Sequence, residues 1–207
     1  SILFVGGIGA WLSEKSNPEL PRVIALATIL LDLLLVVLIL VAPGALGLDA
    51  ATQADFGQPG QWLVLYSSEW IPRFGISFIF GADGLGLLLI TLTVFLGLVS
   101  LGSAWHEIKE RTGFFYFNLL WTLAGVIGVF TALDMFLFFF FWEVMLIPMY
   151  FIIAIWGHEN KEYAATKFFI FTQVSGMLML LSILVLVFFH FQDAGEITFS
   201  YFDLLGT

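Results

Sequence analysis

Within the run Ala132 to Gly157, A-L-D-M-F-L-F-F-F-F-W-E-V-M-L-I-P-M-Y-F-I-I-A-I-W-G, a single carboxylate, Glu143, sits near the middle. The run is long enough to cross a bilayer as one helix, since about 20 apolar residues at about 1.5 Å rise span the hydrocarbon core. Asp134 lies at one edge, about 13 Å from Glu143 along the axis. An acid at membrane depth is expensive and marks a polar cavity, a proton relay or a partner charge. Pro148 follows five residues later and has no N–H for the carbonyl of Val144. A buried acid beside a loosened turn predicts a local pocket that takes water or a side chain. Glu143 is then either a proton carrier, its affinity raised by desolvation and lowered by a nearby cation, or a structural carboxylate bonded to a neighbouring helix.

Other ionisable groups are few. Asp32 sits midway along a second apolar run, in L-L-D-L-L-L, and either joins two helices or acts in function. Lys167 stands at the entrance to the last apolar run, placed as an input-side relay for Glu143 or as a snorkelling interfacial cation. His106, His158 and His190 fall at or beyond expected helix ends, which argues against a pair of mid-membrane haem ligands. The chain has no cysteine, so disulfides, thiolate zinc sites and iron–sulfur ligation drop out together. In G-A-D-G-L-G, Gly81, Gly84 and Gly86 open a membrane helix rather than a nucleotide-binding turn.

The elements that hold these groups follow from composition. Of 207 residues, 60% are hydrophobic and 11% charged, and mean hydropathy is +1.03, so the chain reads as an all-α, multi-pass membrane protein. The net charge of -9 offers no basic face for nucleic acid. Ile2 to Leu12 is apolar but too short to span, and reads as the tail of a first helix. Further spans are expected at about 23–42, 83–101, 114–132, 132–157 and 164–189, giving about six transmembrane helices. Between the second and third lies a long loop, 44–81, whose Trp62, Tyr66 and Trp70 suit an interface. Two β-prone runs flanking Pro72 in that loop can pair as a hairpin. Small and polar stripes predict close packing: Thr93, Gly97 and Ser100; Asn118, Thr122 and Gly125; Thr172, Ser175 and Ser182. Residues 192–207 form an acidic tail with no Lys or Arg. Six of the seven basic residues fall in the loops after spans one, three and five, which the positive-inside rule places in the cytoplasm. The loop 44–81 and both chain ends then face outward.

The run G-F-F-Y-F-N-L-L-W-T-L-A-G-V-I-G-V-F-T-A-L-D-M-F-L-F-F-F-F-W-E-V-M-L-I-P-M-Y-F, the later A-A-T-K-F-F-I-F-T-Q-V-S-G and the segment W-I-P-R-F-G-I-S carry a resemblance. Together they are similar to the antiporter-like membrane subunits of respiratory complex I, the proton-pumping NADH:quinone oxidoreductase, of the M or mitochondrial chain 4 type. That resemblance implies the N-terminal part of a larger inverted-repeat bundle. Residues 1–113 would supply the N-terminal helices, and 114–207 the first half of the antiporter-like repeat. It implies a proton-translocating subunit of a bacterial inner-membrane enzyme, embedded in the bilayer beside other membrane subunits. NADH, FMN, iron–sulfur clusters and quinone would be held by partner subunits, and none by this chain. It also implies that Glu143 pairs with a lysine on a later, broken helix to which no residue of this chain corresponds. A stand-alone sodium/proton antiporter subunit and a structural membrane subunit are the alternatives.

Overall fold

The computed structural model describes residues 2–15, 17, 19–41 and 64–205, and helices dominate it. In chain order they are α1 (Ile2–Ser13), α2 (Leu20–Val41), α3 (Gly84–Glu107), α4 (Thr112–Thr131), α5 (Met135–Trp156), α6 (Lys161–Ala194) and the single turn α7 (Tyr201–Leu204). Five of them, α2 to α6, are long and apolar enough to cross a membrane, and α1 is a shorter apolar helix as its length in the sequence required. The expected hairpin forms: β1 (Val64–Ile71) pairs antiparallel with β2 (Ile76–Ala82) around a 3-10 turn at Pro72–Phe74. Gly75 closes that turn at φ 66°, a left-handed conformation that suits glycine. Part of the 44–81 loop, including Trp62, lies outside the described residues.

The helix ends follow local chemistry. Asp83 caps α3, its Oδ1 accepting from Gly86 N at 2.6 Å. Asp134 caps α5 by accepting from Phe136 N and Leu137 N, both at 2.9 Å. Gly195, at φ 78°, stops α6. That helix is longer at both ends than the apolar run suggested: it starts at Lys161 and continues through Gln192 and Asp193. His190 therefore lies inside its last turns rather than beyond them.

Short connections at 14–19 and 108–111, and at 132–134 and 157–160, make the helices run up and down in sequence. They pack through residues that allow backbones to approach. A Cβ on Gly97 of α3 would meet Leu123 of α4 at 2.6 Å, and one on Gly125 of α4 would meet Met145 of α5 at 2.6 Å. Gly6 of α1 likewise faces Thr28 of α2. Leu3, Ala10, Ile29, Leu87, Val94, Leu101, Leu120 and Ala124 fill one apolar core across α1–α4. The outer faces of α2, α3 and α6 expose rows of leucine, valine and phenylalanine, as surfaces facing lipid or further helices must.

The two ends of the bundle differ. At one end the hairpin, the turn 132–134 and the segment 197–201 are knitted together. Leu133 N donates to Ile79 O (2.8 Å), Met135 N to Phe199 O (2.8 Å), Tyr201 N to Leu133 O (2.9 Å) and Phe199 N to Gly75 O (3.1 Å). Hydropathy alone made 192–207 a simple tail. In fact residues 197–201 fold back onto the hairpin and the turn 132–134, because these strand-like stretches satisfy one another's backbone groups. At the opposite end Arg22 Nη2 donates to Ile108 O (3.1 Å), Trp156 Nε1 to Glu110 O (3.0 Å) and Lys161 Nζ to Ile155 O (2.5 Å).

Candidate functional site

The α4–α5–α6 group presents Glu143 within the membrane-crossing part of the fold. Glu143 stands eight residues into α5, about 12 Å from that helix's hairpin end. Helix α5 continues through Pro148, which is buried inside it, and with no N–H on Pro148 the carbonyl of Val144 lacks its helical donor there. The face of α5 carrying Phe141 and Met145 packs on Gly128 and Gly125 of α4. The side chain of Glu143 points elsewhere, at α6. A Cβ built on Gly176 would collide with its Oε1 and lie 3.5 Å from its Cδ.

Oε1 of Glu143 is buried and has no hydrogen-bond partner among the described residues. The neighbouring indole Nε1 of Trp142 is in the same condition. Trp142 stacks on Phe138 one turn away, at 6.4 Å between ring centroids. A carboxyl oxygen in hydrocarbon without a donor is the costly arrangement that membranes tolerate at functional positions. Chemically, such a group can take a proton, or accept a bond from a cation brought in by another helix.

Lys167 is not placed to do this directly. It is exposed and lies over the ring of Tyr163, 5.4 Å from its centroid. It precedes Gly176 by nine residues, which is two and a half helical turns. It therefore stands on the opposite side of α6 from Glu143 and about 13 Å nearer the basic end.

The polar stripes are largely self-contained. Thr172 Oγ1 donates to Phe168 O at 2.8 Å and Ser182 Oγ to Leu178 O at 3.0 Å, each inside α6. On α4, Asn118 is 1% exposed; its Nδ2 donates to Phe114 O at 2.7 Å, and Thr122 Oγ1 donates to Asn118 O at 2.9 Å. These hydroxyls and amides turn back on their own helices and form no chain leading to Glu143. Asp32, partly exposed in α2, makes no hydrogen bond among the described residues, so the expected helix–helix bond is not made within them. It sits on α2, which packs on α1, α3 and α4.

Asp134 is a structural group of high connectivity. It is 0% exposed. Besides capping α5 through Oδ1, its Oδ2 accepts from Ser77 N of β2 at 3.0 Å. Burial pushes its carboxyl up from the usual carboxylate range, and the N–H groups of Ser77, Leu137 and Phe136 pull it back. Sequence reasoning placed Asp134 at the membrane edge and Glu143 at depth. It did not find Gly176 or the indole of Trp142, although the pair Ser175-Gly176 inside an apolar helix is a small-residue signal for close approach.

Residues 132–205, which contain both acids and all of α5 and α6, match the family model described as NADH:quinone oxidoreductase/Mrp antiporter, TM. The whole chain is 50% identical over 212 aligned residues to NADH-quinone oxidoreductase subunit M of Pseudomonas aeruginosa, covering 41% of that protein. It is 49% identical to subunit M of Escherichia coli K12 over 100% of the chain and 40% of the relative. The chain thus spans about two fifths of the length of these curated relatives. Among solved structures, a chain of respiratory complex I from Thermus thermophilus superposes with a TM-score of 0.76 at 24% identity, over 99% of this chain and 38% of that one. A chain of the Mrp complex from Dietzia superposes with a TM-score of 0.70 at 16% identity, over 95% of this chain and 19% of that one. At those identities the superpositions bear on fold.

Proposed function

Because the chain belongs to the antiporter-like family of NADH:quinone oxidoreductase and Mrp membrane subunits, we propose that it is the N-terminal part of a proton-translocating subunit of NADH:quinone oxidoreductase, with Glu143 carrying the proton. The observation that carries this reading is the buried, unpartnered Oε1 of Glu143 inside a membrane helix. Moving one charge against the membrane potential takes about 2.3 kcal/mol per 100 mV, so a carrier must change its proton affinity during the cycle. A cation approaching Oε1 favours the carboxylate, and its withdrawal in a poorly solvated site favours the acid. The cation would come from outside the described residues, and the energy from quinone reduction in partner subunits. Those partners would hold NADH, FMN, iron–sulfur clusters and quinone.

A multisubunit sodium/proton antiporter is the second reading, favoured by the Mrp half of the family description and by the fold shared with the Dietzia chain. Identity near one half to M subunits, along the entire chain, weighs for the first. Purification of the assembly through a tag on the full-length subunit separates them. The expected result is NADH oxidation that acidifies one side of reconstituted vesicles. Sodium-driven proton exchange in an assembly that oxidises no NADH would overturn it.

The orientation supported by charge puts the end with Lys15, Arg22, Lys109, Arg111, Lys161 and Lys167 in the cytoplasm and the hairpin end, with Arg73, outside. This predicts that in spheroplasts with an intact inner membrane an impermeant thiol reagent labels Glu196→Cys at once. It should label Asn160→Cys only after permeabilisation, and the reverse pattern would invert the topology.

A further inference from the structure

We propose that Gly176 is a positioning residue for Glu143, its missing Cβ forming the seat in which the carboxyl group rests. This rests on the reading of Glu143 as proton carrier and goes beyond it by saying what holds the group in place. Three observations converge. Gly176 is the sole glycine of α6, a helix of 34 residues, and it lies buried near the middle, where glycine is a poor helix former compared with alanine. A Cβ there would collide with Oε1 of Glu143, while its next contacts, Glu143 Cδ at 3.5 Å and Phe139 Cε2 at 4.0 Å, are ordinary. Oε1 has no hydrogen-bond partner among the described residues that would otherwise fix it.

The chemistry of such a seat differs from that of a hydrogen-bonded one. A donor would hold the carboxylate but would also favour its charged form. A wall of backbone holds the group by shape and leaves both protonation states open, as a carrier that must alternate requires. The seat also differs from the other glycine contacts in this region. A Cβ on Gly125 meets the Cβ, Cα and N of Met145, and one on Gly128 meets the ring of Phe141. Those groups are fixed by the helix or by ring packing. At Gly176 the obstacle is the far end of a flexible side chain, so alanine displaces the carboxyl group and leaves the helices where they are.

The test uses the full-length subunit in the intact membrane complex, with Gly176→Ala, Glu143→Asp and the double variant. Gly176→Ala should assemble in normal amounts yet pump about tenfold more slowly, since a misplacement of ~1 Å can cost up to a hundredfold. Its pumping rate should also show a displaced pH midpoint. Glu143→Asp, one methylene shorter, should slow pumping because the carboxyl group withdraws from its seat. In the double variant the methyl group occupies the vacated space, and pumping should exceed that of either single variant. Normal pumping with an unchanged pH profile in Gly176→Ala would overturn the proposal. So would a double variant no better than the product of the singles, or an assembly defect in Gly176→Ala that Glu143→Asp does not restore. Infrared difference spectra keep this separate from the carrier reading. If Glu143→Gln pumps normally, the carrier reading fails, while a shift of the Glu143 carboxyl band in Gly176→Ala would still establish the seat; an unmoved band would remove it.

Discussion

Glu143→Gln is expected to abolish proton pumping almost as completely as Glu143→Ala, with the complex assembled in normal amounts in both. Glutamine matches the size of the acid and keeps its place against α6, but it cannot release or bind the transported proton. The alanine variant loses the same function for the same reason. Because Oε1 bonds to no described residue, alanine strands no donor in this part of the subunit. It leaves only a cavity, which is tolerable in a helix also held by its contacts with α4. Asp should be intermediate, since it titrates from a position one methylene farther from its partner. Where electron transfer is tightly coupled to pumping, NADH:quinone activity should fall in step. A structural carboxylate predicts another order: glutamine mild, alanine severe. Near-normal pumping by Glu143→Gln would therefore end the carrier assignment.

Asp134→Ala is expected to act on assembly instead. The substitution removes the cap of α5, typically about 0.5–2 kcal/mol, and leaves Ser77 N without its acceptor inside the fold, about 1–3 kcal/mol more. Both groups lie in the knitted end where β2, the turn 132–134 and residues 197–201 meet, so that the loss is shared by three segments. The amount of intact complex should drop sharply, and protease should cut more readily near Gly195. Asp134→Asn should be milder. Its amide oxygen can still cap α5, while the amide NH2 faces the N–H of Ser77 and cannot accept from it. Normal assembly of Asp134→Ala together with lost pumping would place this acid on the proton path.

The membrane helices were legible because hydropathy is a bulk property and survives ignorance of the neighbours. Hydrophobic length located α2 to α6 within a few residues, and the β-prone runs around Pro72 announced the hairpin. Glu143 stood out because an acid at that depth has few harmless explanations. What hydropathy could not show was pairing. The segment 197–201 carries no apolar signal strong enough to mark it, yet its backbone completes the turn 132–134. Gln192 and Asp193 looked like loop residues, but they ride on a helix that ends only where Gly195 can adopt a positive φ. Lys167 was read by its nearness in sequence to the last span. The count of nine residues to Gly176 already held the answer that the two face opposite ways.

The knitted end has a mechanical consequence. Helix α5 is gripped there by backbone bonds on both sides of Asp134, whereas its far end is tied to the 108–111 connection by the single indole bond from Trp156 to Glu110. A rod held by backbone bonds at one end and by side-chain packing at the other tilts most readily about the bonded end. A tilt of about 10° about the clamp would carry Glu143 some ~2 Å and the far end of the 22-residue helix some ~6 Å, at about 1.5 Å of rise per residue. Swings of the far end would thus be reduced about threefold at the acid, which lies eight residues from the clamp in a helix of 22.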